Sequence, residues 1–200
     1  MNKIVVATKN KGKAAEIKRL LEPAGVQVLS MLDFAILELP PETGTTFAAN
    51  ATAKARFVAE ALQCECLADD SGLEVDYLLG APGVYSARYA GEGATDEDNW
   101  RKLLAELSGV PPGKRTARFV CVVAFTKPDK SDATVHTFDG ALEGTIAEAP
   151  SGPNGFGYDP VFYIPSLQKT VAQLSLDEKN MISHRGQALK KFKAWFEDCL

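Results

Sequence analysis

The sequence predicts an α/β protein built on a mixed sheet, and three observations carry that prediction. Short apolar runs alternate with helix-patterned stretches from residue 4 to residue 68, the order that places strands side by side with helices packed on them. Two β-rich stretches, 117–126 and 134–146, then follow one another across a polar turn and read as a hairpin. The composition is that of a globular domain, with 46% hydrophobic and 24% charged residues. A chain of this size buries roughly 70% of the surface its unfolded form exposes, so one domain spanning residues 1–200 needs no staple.

The elements follow in order. Ile4-Val5-Val6-Ala7 is a continuous apolar run and reads as a buried strand. Residues 8–13 form a polar loop. Helical spacing of Ile17, Leu20 and Leu21 marks a helix over 14–21, stopped by Pro23 and Gly25. Residues 26–30 read as a second strand and 33–46, with Pro40-Pro41 and Thr43-Gly44, as a loop. An alanine-rich helix is expected over 47–62, with Thr45 or Thr46 as its N-cap.

Cys66-Leu67-Ala68 is a short strand ending at Asp69-Asp70-Ser71-Gly72, and 80–93 is a glycine-containing loop. Thr95-Asp96-Glu97-Asp98 opens a helix with a capping-box pattern and a stripe of Trp100, Leu103, Leu104 and Leu107. After the hairpin, with its turn at 127–133, comes a loop over 151–159 carrying Gly152, Gly155 and Gly157. A strand follows at 161–164. A final helix places Leu189, Phe192 and Phe196 on one face.

Composition also excludes functions. A net charge of −4 without a long Lys/Arg run is unsuited to binding nucleic acid through its phosphates. No apolar stretch approaches the ~20 residues that span a bilayer. The apolar run at 4–7 is too short for a signal-peptide core, so the expected compartment is the cytoplasm. Cys64, Cys66, Cys121 and Cys199 have neither zinc-knuckle nor disulfide spacing, and His136 and His184 are the only histidines. The cysteines are expected to be free and buried.

Five motifs carry possible chemistry. Thr8-Lys9-Asn10-Lys11-Gly12-Lys13 lies between a strand and a helix, where free backbone N–H groups and three lysines attract phosphate. It is not a Walker A loop, since Ala14 follows the lysine. Asp69 and Asp70 are adjacent carboxylates, which repel each other unless a cation holds them, and hard oxygen donors select Mg²⁺ or Mn²⁺. Asn50 and Lys54 share a helix face, from which Lys54 can reach a phosphate. Glycines around Phe156 allow that ring to stack on a base. His184 and Arg185 can donate to a carbonyl or phosphate. Taken singly, these are also a solvated basic turn, an acidic turn, a surface lysine, a tight loop and an uninformative tripeptide.

Together, their order and spacing resemble the inosine triphosphate pyrophosphatase family, most closely its bacterial dITP/XTP pyrophosphatases. The resemblance covers the whole chain. It runs through Thr8-x-Asn10-x-x-Lys13-x-x-Glu16, then Glu42-Thr43-Gly44-x-Thr46-Phe47-x-x-Asn50-Ala51-x-x-Lys54, then Ala68-Asp69-Asp70-Ser71-Gly72. It continues through Gly80-Ala81-Pro82-Gly83-Val84-Tyr85-Ser86-Ala87-Arg88-Tyr89, Phe156-Gly157-Tyr158-Asp159-Pro160 and Ser183-His184-Arg185-Gly186.

The resemblance implies an elongated two-lobed fold with a long central mixed sheet flanked by helices, a nucleotide cleft between the lobes, and a homodimer. It implies hydrolysis of ITP, dITP and XTP to the monophosphate and pyrophosphate with Mg²⁺. Asp70 is then the proton acceptor and a metal ligand, with Glu42 and Asp69 close to the metal. Thr8, Lys9, Asn10, Lys11, Gly12 and Lys13 hold the phosphates. Ser71, Phe156, Gly157, Tyr158, Asp159, Lys179, His184 and Arg185 contact the nucleotide. The competing readings are a Maf-type or other nucleotide hydrolase and a non-catalytic nucleotide sensor.

Overall fold

The computed structural model describes residues 2–34, 37–128 and 134–199. Among the described residues seven strands form one sheet: β1 (Asn2–Val6), β2 (Val26–Ser30), β3 (Cys66–Val75), β4 (Thr116–Thr126), β5 (His136–Ile146), β6 (Phe162–Ile164) and β7 (Lys169–Thr170). Their order is β2-β1-β3-β4-β5-β6-β7. β1 runs parallel to β2, with Ile4 opposite Val28, and parallel to β3, with Val5 opposite Cys66. β6 is antiparallel to both β5 and β7. The sheet is therefore mixed, as the alternation and the hairpin predict. The helices are α1 (Lys11–Leu21), α2 (Phe47–Leu62), α3 (Asp96–Glu106), α4 (Leu176–Ile182) and α5 (His184–Asp198). Among the described residues no helix is long and apolar enough to cross a membrane.

The chain divides into two compact units. The first comprises Met1–Asp70, Cys121–Gly140 and Arg185–Leu200; the second comprises Ser71–Val120 and Ala141–His184. The divisions fall inside β3, β4, β5 and the first turn of the last helix, His184–Asp198. In the first unit β1 is covered on both faces, which is why it reads as an unbroken apolar run. Alternate residues Ile4 and Val6 pack with Ile17 and Leu21 of α1 and with Leu189, Phe192 and Phe196 of α5. Val5 and Ala7 pack on the opposite side with Ala51, Ala55 and Val58 of α2. The small side chains of α2 let its backbone lie close to the sheet. The second unit is centred on Leu73, Leu103, Leu107, Phe119, Val161 and Phe162.

Local caps set the helix starts. Asn10 Oδ1 accepts from Lys13 N–H at 3.0 Å, so α1 begins at Lys11 rather than at residue 14, and Lys11, Gly12 and Lys13 form its first turn. Thr46 caps α2, and Thr95 with Asp98 closes the expected capping box on α3. β3 does not end at residue 68: apolar Leu73 and Val75 draw it on through the aspartates into the second core. α4 and β7 add to the expected elements, and α5 opens at His184. Most of the expected 127–133 turn lies outside the described residues. Cys66 and Cys121 are buried free thiols as expected, but Cys64 is half-buried and Cys199 exposed.

Candidate active site

Asp69 and Asp70 are consecutive residues of a strand, so their side chains leave opposite faces of the sheet. Asp69 meets α1 and α5. Its Oδ2 accepts from Arg185 Nε at 3.1 Å and Nη2 at 3.0 Å, and lies 3.0 Å from Lys13 Nζ. The remaining Nη1 of Arg185 donates to Glu16 Oε2. Asp69, Arg185 and Glu16 are all buried, Arg185 to 1% exposure. Asp70 meets α2 instead. Its Oδ2 accepts from Asn50 Nδ2 at 2.9 Å, and its Oδ1 lies 3.5 Å from Lys54 Nζ. Lys54 Nζ also donates to Glu42 Oε1 at 2.5 Å.

The two neighbours therefore have different electrostatics. Burial pushes the Asp69 carboxyl up, but the charges of Lys13, Arg185 and Lys54 outweigh it and hold the group far below the usual carboxylate range. Burial also acts on Asp70, and there it prevails over Lys54. With Glu42 adding repulsion, the Asp70 carboxyl is raised above its ordinary value. Lys54 is penalised by burial yet held in its charged form by Asp70, Asp69 and Glu42, so its pKa is raised. A raised carboxylate beside a cation-neutralised one is the arrangement that separates a proton acceptor from a fixed countercharge.

The other phosphate candidates occupy the β1–α1 junction. Thr8 is buried, its carbonyl accepting from Met31 N–H at 3.2 Å, and its Oγ1 accepts from Asn10 N–H at 3.2 Å. Lys9, Asn10 and Lys11 are exposed, while Gly12 and Lys13 are half-buried. The junction thus offers the first turn of α1 with three lysines around it, the arrangement that attracts a polyphosphate.

In the second unit, Asp159 Oδ2 accepts from Phe156 N–H at 2.9 Å and from Lys179 Nζ at 2.5 Å. Lys179 Nζ stands 4.3 Å over the Phe156 ring. Gly157 N–H donates to Asp96 Oδ2 at 2.7 Å. Gly155 adopts φ +82°, and a side chain there would meet the Asp159 carboxylate. An aromatic face and a carboxylate from one loop are thereby brought together with a buried cation from α4. His184 is buried and stacks on Phe119 with ring centroids 4.9 Å apart. Ser71 follows Asp70 on β3, half-buried.

Four of the expected site residues have protein partners. Arg185 donates to Asp69 and Glu16, and Asp69 faces Lys13 and Arg185. Asn50, 2% exposed, gives both ends of its amide to protein groups: Oδ1 accepts from Gly44 N–H at 2.8 Å and Nδ2 donates to Asp70. Tyr158 is buried and its hydroxyl donates to the Ser86 carbonyl at 2.8 Å. Glu16, quoted in the opening motif without a role, is the residue the sequence reading missed. Its signal is position: it lies three residues after Lys13 and four before Leu20, on the inward side of α1.

Among the described residues no three His, Cys, Asp or Glu side chains converge as a metal cage. The pair Glu42 and Asp70, drawn together on Lys54, nevertheless fits Mg²⁺. That ion is commonly held by one or two carboxylates with substrate phosphates and water completing its shell.

Comparison with known proteins identifies the family. The Ham1 family model matches residues 4–195. A dITP/XTP pyrophosphatase of Halalkalibacterium halodurans is 49% identical over 98% of this chain and 100% of its own. One from Desulforamulus reducens is 52% identical over 94% of this chain and 92% of its own. Among solved structures, a HAM1 protein from Coxiella burnetii superposes with a TM-score of 0.88 at 43% identity, covering 99% of this chain and 100% of that one.

Proposed function

This chain belongs to the Ham1 family, and on that footing we propose that it hydrolyses deaminated purine nucleoside triphosphates, dITP and XTP and with them ITP, to the monophosphate and pyrophosphate. Residues 1–200 act as one pyrophosphatase domain, a homodimer working in the cytoplasm on the free nucleotide pool. Light scattering at about twice the 21.5 kDa chain mass tests the assembly. The observation that carries the reading is the split of the two aspartates: Asp69 neutralised by Lys13 and Arg185, Asp70 raised and facing Lys54 and Glu42.

The reaction adds water across the α–β anhydride. One proton of the attacking water passes to Asp70 as the new P–O bond forms, and pyrophosphate leaves with the electrons of the broken P–O bond. A carboxylate raised by burial is a better base than a solvated one. Lys9, Lys11 and Lys13 with the first turn of α1 gather the phosphates, and Lys54 stands where negative charge grows. Glu42 and Asp70 would hold Mg²⁺, which supplies charge neutralisation for the phosphates and the leaving group.

Phe156 offers a stacking face to any base, so selectivity falls to hydrogen bonds. Hypoxanthine and xanthine carry a carbonyl at C6 where adenine carries an amino group. A donor such as Lys179 or His184 that bonds the carbonyl is left unpaired by adenine, at about 1–3 kcal/mol each. Guanine shares the carbonyl and is turned away at its 2-amino group. The test is a panel of triphosphates with Mg²⁺, assayed for pyrophosphate. ITP, dITP and XTP should be cleaved far faster than ATP and GTP, with EDTA abolishing turnover. Release of phosphate without pyrophosphate would point to a stepwise phosphatase, a modified-pyrimidine preference to a Maf-type enzyme, and binding without turnover to a sensor.

A further inference from the structure

We infer that Asn50 is a positioning residue for Asp70, and that residue 44 is glycine so that Asn50 can hold that position. The inference rests on the reading of Asp70 as the proton acceptor. Spacing on α2 places Asn50 beside Lys54, among the residues expected to bind substrate. The structure gives it different work.

Both ends of the buried amide are engaged, and each engagement fixes which end is which. Oδ1 takes the Gly44 N–H at 2.8 Å, and Nδ2 gives to Asp70 Oδ2 at 2.9 Å. Reversing the amide would set donor against donor and oxygen against carboxylate, so a single orientation survives. One side chain therefore ties the loop carrying Glu42, two residues before Gly44, to the strand carrying Asp70. The Asp70 carboxylate is held from both sides: Oδ2 by Asn50, Oδ1 by Lys54 at 3.5 Å. Lys54 closes the circuit on Glu42 Oε1 at 2.5 Å. Asn50 thus sets the rotation of the acceptor and its separation from the second acid.

Gly44 fits the same logic. Its φ is unremarkable, so the requirement is for space. A Cβ there would lie 2.6 Å from Asn50 Oδ1 and 3.0 Å from the Ala49 Cβ. Alanine at position 44 must displace the amide, and with it the hydrogen bond to Asp70.

The experiment measures kcat and KM for ITP with Mg²⁺ in Asn50→Asp, Asn50→Ala and Gly44→Ala, with Asp70→Asn as the reference. Asn50→Asp keeps an acceptor for the Gly44 N–H but sets an acid against Asp70. Asn50→Ala removes both bonds, and Gly44→Ala acts without touching residue 50. Each should lower kcat by about ten- to a hundredfold with KM within about threefold of wild type, the pattern of a misplaced acceptor. A raised KM with unchanged kcat would make Asn50 a direct substrate contact and overturn the inference. So would a kcat within about twofold of wild type in Asn50→Asp. If the residue 50 variants fail to fold, Gly44→Ala decides alone, on the same criterion. Turnover surviving in Asp70→Asn sinks the reading of Asp70 itself. Turnover lost in Asp70→Asn but kept in the other three sinks only the inference.

Discussion

Replacing Arg185 by methionine removes the charge but keeps much of the side-chain length, and the structure sets the size of the effect. Three N–H groups of Arg185 are engaged by two carboxylates, at 3.1 and 3.0 Å to Asp69 and at hydrogen-bonding range to Glu16. The side chains are 1%, 0% and 2% exposed. In Arg185→Met the two buried carboxylates lose the guanidinium that pairs with both. Breaking a buried pair in this way costs about 3–5 kcal/mol, since the orphaned charge stays in the low-dielectric interior. For a chain of this size each kcal/mol moves Tm by about 2–4 °C, so the drop should be about 6–20 °C. Calorimetry of the ligand-free protein measures it. Adding Glu16→Gln should recover part of the loss, because one of the two stranded charges is then gone. A Tm within about 2 °C of wild type in Arg185→Met would refute the argument and return the guanidinium to solvent and substrate.

Three further outcomes follow from the same geometry. Asp70→Asn should lower kcat by at least ~10²-fold. It should leave Tm level or higher, because a group raised above its unfolded pKa destabilises the fold at neutral pH and is relieved only as pH falls through the folded value. Asp69 has the opposite sign. Its depressed pKa contributes stability that is present above the unfolded value of about 4 and is lost as pH falls below it toward the folded value, so Asp69→Asn should be less stable at pH 7 with a flatter acid limb in a pH series of melts. Lys13→Ala should raise KM for the triphosphate and weaken the dependence of KM on ionic strength; an unchanged KM would make Lys13 a partner of Asp69 alone.

Much of the fold was legible because it is local. The apolar run at 4–7, the alanine face of α2 and the caps Asn10, Thr46 and Thr95 act over a few residues and leave their mark there. β3 extends past what its sequence suggests, because Asp69-Asp70-Ser71-Gly72 looks like a turn; only apolar Leu73 and Val75 beyond it, anchored in the second core, keep the strand going. The candidate residues stand out in the sequence as a set; their partners do not. A helix shows which residues share a face, as Asn50 and Lys54 do, but not what that face meets. Asn50 finds Asp70 twenty positions away, and Arg185 finds Asp69 across 116. Sequence spacing carries no record of such contacts. The duty that divides two identical neighbours, Asp69 and Asp70, is set entirely by what stands on either side of the sheet.

Neither compact unit is a continuous piece of chain, and this orders events during synthesis. Glu16 and Asp69 emerge early, while Arg185 opens the last segment of the first unit, after the whole of the second unit has been made. A nascent chain that has reached residue 184 holds two carboxylates meant for burial and lacks the guanidinium that neutralises them. Its first unit also lacks Leu189, Phe192 and Phe196, which cover one face of β1. The ribosome thus releases an ionic keystone together with the last apolar layer. Chains that stop short of α5 leave one face of β1 bare, and exposed apolar surface of that kind is what proteases and chaperones act on.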